Sequence, residues 1–323
     1  ALDLSQTLRL RQEEASSLRH LGTISWYEEK FEKATKYWEK ALENCQQLGD
    51  RYGTGKVLNN LGLLAGEQGN YQASKIYLEQ SLKILQETGV RWLEYQVNNN
   101  LGDVLNCLGQ FEAAGERLEA ALQSCHELGD RQIESMILSN LSVLFWELEK
   151  PETARAYSNQ AISIARALEN PRQHAYGQLC LGYALLDLGQ KEAAKTAFEK
   201  SVKIRRDLNQ PVMMVGALAG LAAANYALEK TDLAMSQVKE MLDYLQTYSL
   251  TGNKDPLRIY LICIKVLQEK HDPRWSELLN LAYKRLQSQV SNIDNQSLRK
   301  TFLERVRTNR ELIHLYQEVM LVS

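Results

Sequence analysis

Residues that break helices are scarce in this chain. It has 5 prolines and 18 glycines in 323 residues, and no long Gly/Ser/Pro tract. A disordered linker is therefore not expected. Cysteine is equally sparse. Cys45, Cys107, Cys125, Cys180 and Cys263 are odd in number, widely spaced and without a Cys-x-x-Cys pair. That argues against a disulfide framework and a structural zinc site, and it fits a reducing compartment. The expected location is cytoplasmic, with most cysteines acting as small buried hydrophobes. Charge of one sign is lacking too. The net charge is -2 and the pI near 6.3. No global field attracts nucleic acid or an anionic membrane, and neither is expected as a partner. No apolar run approaches the ~18 residues of a spanning helix. No signal peptide opens the chain. It starts Ala1-Leu2-Asp3 without Met, which reads as a piece of a longer protein; a processed or renumbered start gives the same appearance.

Catalytic signatures are missing as well. There is no phosphate loop, no Gly-x-Ser-x-Gly and no His-Glu-x-x-His. His20, His126, His174, His271 and His314 are scattered without metal-ligand spacing. Cys125 and His126 are adjacent, so a helix points them to different sides. Glu13-Glu14 and Glu28-Glu29 read as solvated faces. Arg205-Arg206 and the Arg-rich tail read as charge-balanced surface, because Glu and Asp interleave with them. No enzymatic activity, metal or cofactor is expected.

What the chain does have is a period. Asn59-Asn60-Leu61-Gly62 returns forty residues later as Asn99-Asn100-Leu101-Gly102, and again as Ser139-Asn140-Leu141-Ser142. The echo extends back to His20-Leu21-Gly22 and forward to Cys180-Leu181-Gly182 and Gly220-Leu221-Ala222. Within one unit, Lys56 to about Gln68 has helical spacing, with Val57, Leu61, Leu64 and Ala65 on one face. Gly69-Asn70 breaks it, and Tyr71 to about Gln86 forms a second helix. Neither helix buries its apolar face alone; paired and stacked, both do. Two small columns flank a bulky one. Ala34, Ser74, Ala114, Ala154, Ala194 and Ala234 form the first; Ala41, Ser81, Ala121, Ala161 and Ser201 form the second. Between them run Trp38, Leu78, Leu118, Ser158, Phe198 and Val238. Small, large, small at these offsets sets close helix contacts around a knob.

These columns resemble the tetratricopeptide repeat, in which Leu-Gly of a first helix precedes Ala, an aromatic and Ala of a second. Leu21-Gly22, Ala34, Trp38 and Ala41 match in order and offset. The family's proline near the end of the second helix is missing. The connection reads as long instead, as in Leu48-Gly49-Asp50-Arg51 and Leu128-Gly129-Asp130-Arg131; the period is forty rather than thirty-four, and the extra residues are expected to lengthen both helices and the bend between units. The resemblance implies an all-α fold, a right-handed solenoid of stacked hairpins. Residues 1–247 hold six repeats. Residues 248–323 hold a degenerate seventh hairpin (Leu257 to about Lys270, Arg274 to about Val290) and a helical cap (Asn295–Val306, Asn309–Val319). Arg299, Lys300, Glu304, Arg305, Arg307 and Arg310 are expected to give that cap a polar outer surface. Repeats of this length resemble those of kinesin light chains, Pins-type polarity adaptors and bacterial signal-transduction ATPases of the STAND class. The stretch Ser297–Val306 is similar to the end of the STAND arrays, whose nucleotide-binding switch lies upstream of the repeats.

In such a fold the first helices line the concave face, and the resemblance makes their inward columns the candidate site. Asn59, Asn60, Asn99, Asn100 and Asn140 flank the Leu of three successive units, and Asp103 and Asn106 follow in the third. An amide both donates and accepts, so an in-register ladder is suited to gripping an extended peptide backbone. The other reading of Asn60, Asn100 and Asn140 is that they bond to neighbouring helices and stiffen the stack. Trp146, Tyr176, Tyr183 and Tyr226 gather toward the C-terminal half, where aromatic side chains suit an apolar anchor or pack in the core. The basic columns of an Hsp90-type carboxylate clamp are absent. The expected partner is a protein or peptide in the concave groove, with a nucleotide-binding domain upstream in a full-length chain. A freestanding adaptor and a regulator that takes a small molecule in the aromatic pocket are the alternatives.

Overall fold

The computed structural model describes residues 2–322, with side chains from 9 to 321. Six helical hairpins follow one another: α1 (Leu2–Tyr27) with α2 (Phe31–Gln47), α3 (Arg51–Glu67) with α4 (Tyr71–Thr88), α5 (Arg91–Cys107) with α6 (Phe111–Leu128), α7 (Arg131–Glu147) with α8 (Pro151–Ala167), α9 (Pro171–Asp187) with α10 (Lys191–Asp207), and α11 (Pro211–Ala227) with α12 (Thr231–Thr247). Each packs on the next, and the described residues contain no strand.

The linkers keep a strict metre. A residue with positive φ stands at 29, 49, 69 and every twentieth position up to 229. Glycine occupies six of these positions, Glu29, Glu149, Glu169 and Glu229 four, and Asn209 one. The left-handed residue stops the helix and turns two N–H groups back onto its last carbonyls. Glu29 N–H reaches Trp26 O at 2.9 Å, and Lys30 N–H reaches Ser25 O at 2.8 Å. The next helix is then capped. Asp50, Asn70, Asp130 and Asn170 each accept from the N–H three residues on. Prolines 151, 171, 211 and 256 stand at helix starts, where no N–H is missed.

This geometry corrects the expected long connection. Linkers between repeats are two or three residues, and α3 begins at Arg51, not near Lys56. The Asp50 cap, 2.8 Å from Gly53 N–H, makes the glycine-containing start helical. The extra residues of the period therefore lie in the helices.

Small and bulky columns meet as pairs sixteen residues apart. A Cβ on Gly62 would lie 2.7 Å from Leu78 Cγ, and one on Gly102 would lie 2.6 Å from Leu118 Cγ. Only glycine lets those helices approach so closely. Where serine replaces alanine in a small column, its hydroxyl bonds a carbonyl of the facing helix. Ser74 reaches Gly62 O at 2.6 Å, and Ser81 reaches Gly55 O at 2.7 Å.

The metre stops at Tyr248, whose backbone is extended. Then α13 (Pro256–Glu269) packs on α11, and α14 (Arg274–Ser291) returns beside it. From the end of α14 through α15 (Gln296–Arg305) into α16 (Arg307–Val322) the chain crosses the hairpin tips of repeats two to five. Asp294 meets Gln72 (2.8 Å), Arg305 meets Glu112 (2.7 Å), Arg307 meets Asp187 (2.6 Å) and Arg310 meets Glu149 (2.9 Å). Phe302 packs 6.1 Å from the Tyr71 ring. The expectation that Arg305, Arg307 and Arg310 form a solvent-facing cap is thus corrected: curvature brings acidic hairpin tips within their reach, and they strap the end of the chain to the array.

Candidate functional site

Under this strap lies a chamber of about 480 Å³. Its wall comes from α3, α5, α7 and α9, the first helices of four successive repeats, and its roof from residues 252–259, Gln289, Phe302, Val306 and Asn309. First helices face inward because their small columns let second helices pack tightly outside them.

A polar track runs along the wall. Asn100 Nδ2 donates to Asn59 Oδ1 at 2.9 Å, and Asn140 Nδ2 donates to Asn99 Oδ1 at 3.0 Å. Asn99 and Asn100 are joined at 3.3 Å, and Tyr176 O–H donates to Asn140 Oδ1 at 3.2 Å. Each rung therefore runs diagonally, from the residue before Leu in one repeat to the residue two before Leu in the previous repeat. Asn100 and Asn140 thus bond to the neighbouring first helices, as the stack-stiffening reading expects, while Asn60 takes no part in the track. Asn99, Asn100, Asp103, Asn106, Asn140, Trp146, Tyr176 and Tyr183 border the chamber; Asn59, Asn60 and Tyr226 do not. Tyr226 packs half-buried against the core.

The chain's own cations sit among these groups. Lys254 Nζ donates to Asp103 Oδ2 at 2.8 Å and to Asn140 Oδ1 at 3.3 Å, and lies 5.0 Å from the Tyr176 ring centre. Arg258 lies 4.1 Å from the Trp146 ring centre and 4.4 Å from that of Tyr183, and pairs with Asp255 at 2.6 Å. Arg307 lies 4.0 Å from Trp146 and donates to its carbonyl. The rings are both wall and core: Tyr183 meets Phe198 edge-on at 5.0 Å. Trp146 is 9 % exposed. The concave side is thus not an open groove along its length. Lys254, Arg258 and Arg307 occupy part of it and leave a partly covered cavity.

Carboxylates that the inward columns omitted are also here. Six residues after Leu stand Glu67 and Glu147, which border the chamber; the same column holds Cys107 in the third repeat and, outside the chamber, Asp187 in the fifth. Reading one column further would have found them. Burial raises the Glu67 pKa, although Trp26 Nε1 donates to it at 2.6 Å. Glu147 is 8 % exposed, and burial pushes its pKa up to about 7 against the pull of Arg258 at 3.8 Å and Arg307 N–H at 3.0 Å. Burial likewise pushes the Cys180 thiol up to about 12, so it stays protonated. Four buried polar atoms on the wall and roof have no protein partner among the described residues: Asn106 Oδ1, Trp146 Nε1, Gln173 Oε1 and Gln289 Oε1. A chamber with a continuous amide track, ring faces and unsatisfied donors and acceptors has the features of a binding site. No group of three or more metal-ligating side chains converges among the described residues, and none of their helices is long and apolar enough to cross a membrane.

Comparison with known proteins agrees with this fold. Residues 13–87 and 93–167 match one tetratricopeptide-repeat family model and 180–208 match another, together more than half of the chain. No curated protein matches the sequence significantly. Among solved structures, the apo form of RapI aligns over 87 % of this chain and 100 % of its own, with a TM-score of 0.67 at 12 % identity. The Rap conjugation gene regulator of plasmid pLS20, solved with the Phr* peptide, aligns over 85 % and 75 % respectively, with a TM-score of 0.67 at 16 % identity. A STAND protein with a tetratricopeptide-repeat sensor, PH0952 from Pyrococcus horikoshii, aligns over 91 % of this chain but 46 % of its own, with a TM-score of 0.58 at 18 % identity.

Proposed function

This chain belongs to the tetratricopeptide-repeat family, and we propose that it is a peptide-binding sensor, the C-terminal ligand-sensing region of a larger bacterial STAND-type regulator in the cytoplasm. The observation that carries the reading is the chamber itself. It joins the Asn100–Asn140 amide track to the Trp146 and Tyr183 rings in a partly covered cavity whose volume is within the usual range for ligand sites. Lys254 and Arg258, lying across part of the concave side, favour a short ligand over a long chain threaded along the whole groove. The pLS20 regulator, similar in fold, was solved with a peptide, and the STAND protein carries its repeats as a sensor.

For such a sensor to act, the ligand must bind one state of the regulator better than another. Lys254 gives a ligand a contact to compete for, since its ammonium donates to Asp103 and Asn140. Incubation with pooled short peptides, followed by gel filtration and mass spectrometry, tests the reading. Wild type retains a subset of peptides, and Asn100→Ala/Asn140→Ala, with its helical content checked by circular dichroism, loses them. Equal retention by a folded double variant removes the amide track as a binding element. An open reading frame with a nucleotide-binding domain upstream of Ala1 is expected; a frame complete near Ala1 turns the reading to a freestanding adaptor.

A further inference from the structure

One buried cation on the chamber wall has no anion. Arg205, near the end of α10, is 8 % exposed and borders the chamber. Its Nη1 donates to Gln210 Oε1 at 2.6 Å. A guanidinium carries five N–H donors, and among the described residues no carboxylate lies within ion-pairing distance of this one. Of the other two guanidiniums that border the chamber, that of Arg258 is matched by Asp255. Arg172, at the start of α9, borders the same end of the chamber and is likewise without a carboxylate partner among the described residues. Burial lowers the Arg205 pKa to about 10, and the nearby Arg172 charge adds to the effect. Holding an unmatched guanidinium in the interior costs stability, and nothing in the repeat columns requires arginine there. The aligned positions one and two units back are Ala165 and Cys125, both buried and uncharged.

Geometry also connects this end to the polar track. Tyr176, bonded to Asn140, is close enough to act on the Arg205 charge. The hydrogen-bonded track runs from Asn59 through Asn100, Asn99 and Asn140 to Tyr176, and Tyr176 and Arg205 border the same chamber. At the far end the charge has the opposite sign, with Glu67 carrying no cation partner within ion-pairing distance among the described residues.

We propose that Arg205, with Arg172, receives a carboxylate of the ligand, so that the chamber selects short peptides bearing a free C-terminal carboxylate or an Asp or Glu side chain at one end. This deepens the peptide-binding reading and rests on it. Two N–H groups of one guanidinium match the two oxygens of a carboxylate, and a second cation beside it adds charge without competing for the same geometry. The site differs from a clamp built on inward columns of first helices, because Arg205 belongs to a second helix.

The test uses three pools of pentapeptides: free acids, C-terminal amides containing Asp or Glu, and amides containing neither. Retention by the whole chain is read by gel filtration and mass spectrometry. Retention of the free acids, or of the acidic amides, with at least about a tenfold loss in Arg205→Gln, supports the proposal and identifies the carboxylate's source. Equal retention of amides without any acid overturns it and leaves peptide binding standing. Retention of none of the three pools overturns both readings. A second measurement needs no ligand. Arg205→Met is expected to raise the melting temperature, because it removes a charge that the free chain does not match. A fall in melting temperature would assign Arg205 to holding Gln210 and the start of α11, and would overturn the assignment.

Discussion

The Ser142 hydroxyl lies 2.6 Å from the Ser158 hydroxyl, both fully buried, where other repeats set glycine against a bulky side chain. The pairs Gly22–Trp38, Gly62–Leu78, Gly102–Leu118 and Gly182–Phe198 fill the same space in a different way. The fourth repeat has exchanged a knob in a hole for a hydrogen bond. Ser142→Gly should leave the Ser158 hydroxyl unpaired at a cost of about 1–3 kcal/mol. Ser158→Leu alone should overpack by about the same amount. The double variant should recover most of the loss, and thermal denaturation of the four chains measures the coupling. Additive losses would refute the exchange.

The twenty-residue metre makes a second prediction. Glu169 is exposed and held at φ 50°, while the equivalent Gly189 sits at φ 72° with open space around its missing Cβ. A non-glycine residue there costs about 1–2 kcal/mol, offset by glycine's greater freedom in the unfolded chain. Glu169→Gly should therefore stabilise by about 0.5 kcal/mol. Gly189→Glu should destabilise by a similar amount, and urea midpoints compare the two.

Glu147 makes stability depend on pH. Its folded pKa, about 7, lies above the usual carboxylate value, so the folded chain holds a proton that the unfolded chain has lost. The associated stability is fully present below about pH 4, declines as pH rises and is gone above about pH 7. Glu147→Gln should flatten that decline and exceed wild type at pH 8 by roughly 2–3 kcal/mol. Parallel pH profiles for the two chains would show that Glu147 is not the group responsible.

The strap makes a local prediction. Arg307 joins Asp187, the Trp146 carbonyl and the Trp146 ring, with its side chain 24 % exposed. Arg307→Ala should weaken the attachment of α15 and α16 by about 1–2 kcal/mol. Hydrogen exchange should quicken there and around Trp146, while α1 to α4 stay protected. A uniform change across the array would mean that the strap is not an independent unit.

The sequence by itself determined the repeat: its period of forty, the pairing of helices within a unit and the small and bulky columns that lie inside. Those contacts join neighbours one or two helices apart, so each recurs along the chain and leaves a period to read. It also held, unread, the acidic column of Glu67, Glu147 and Asp187. Tertiary structure alone decided that Lys254, Arg258 and Arg307 would turn an open groove into a chamber. It alone decided, too, that Asn100 would bond Asn59 rather than Asn60. Gln72 and Asp294 meet across 222 residues because curvature accumulates over several repeats. A contact made once, by accumulated curvature, has no period, and so leaves no pattern in the sequence.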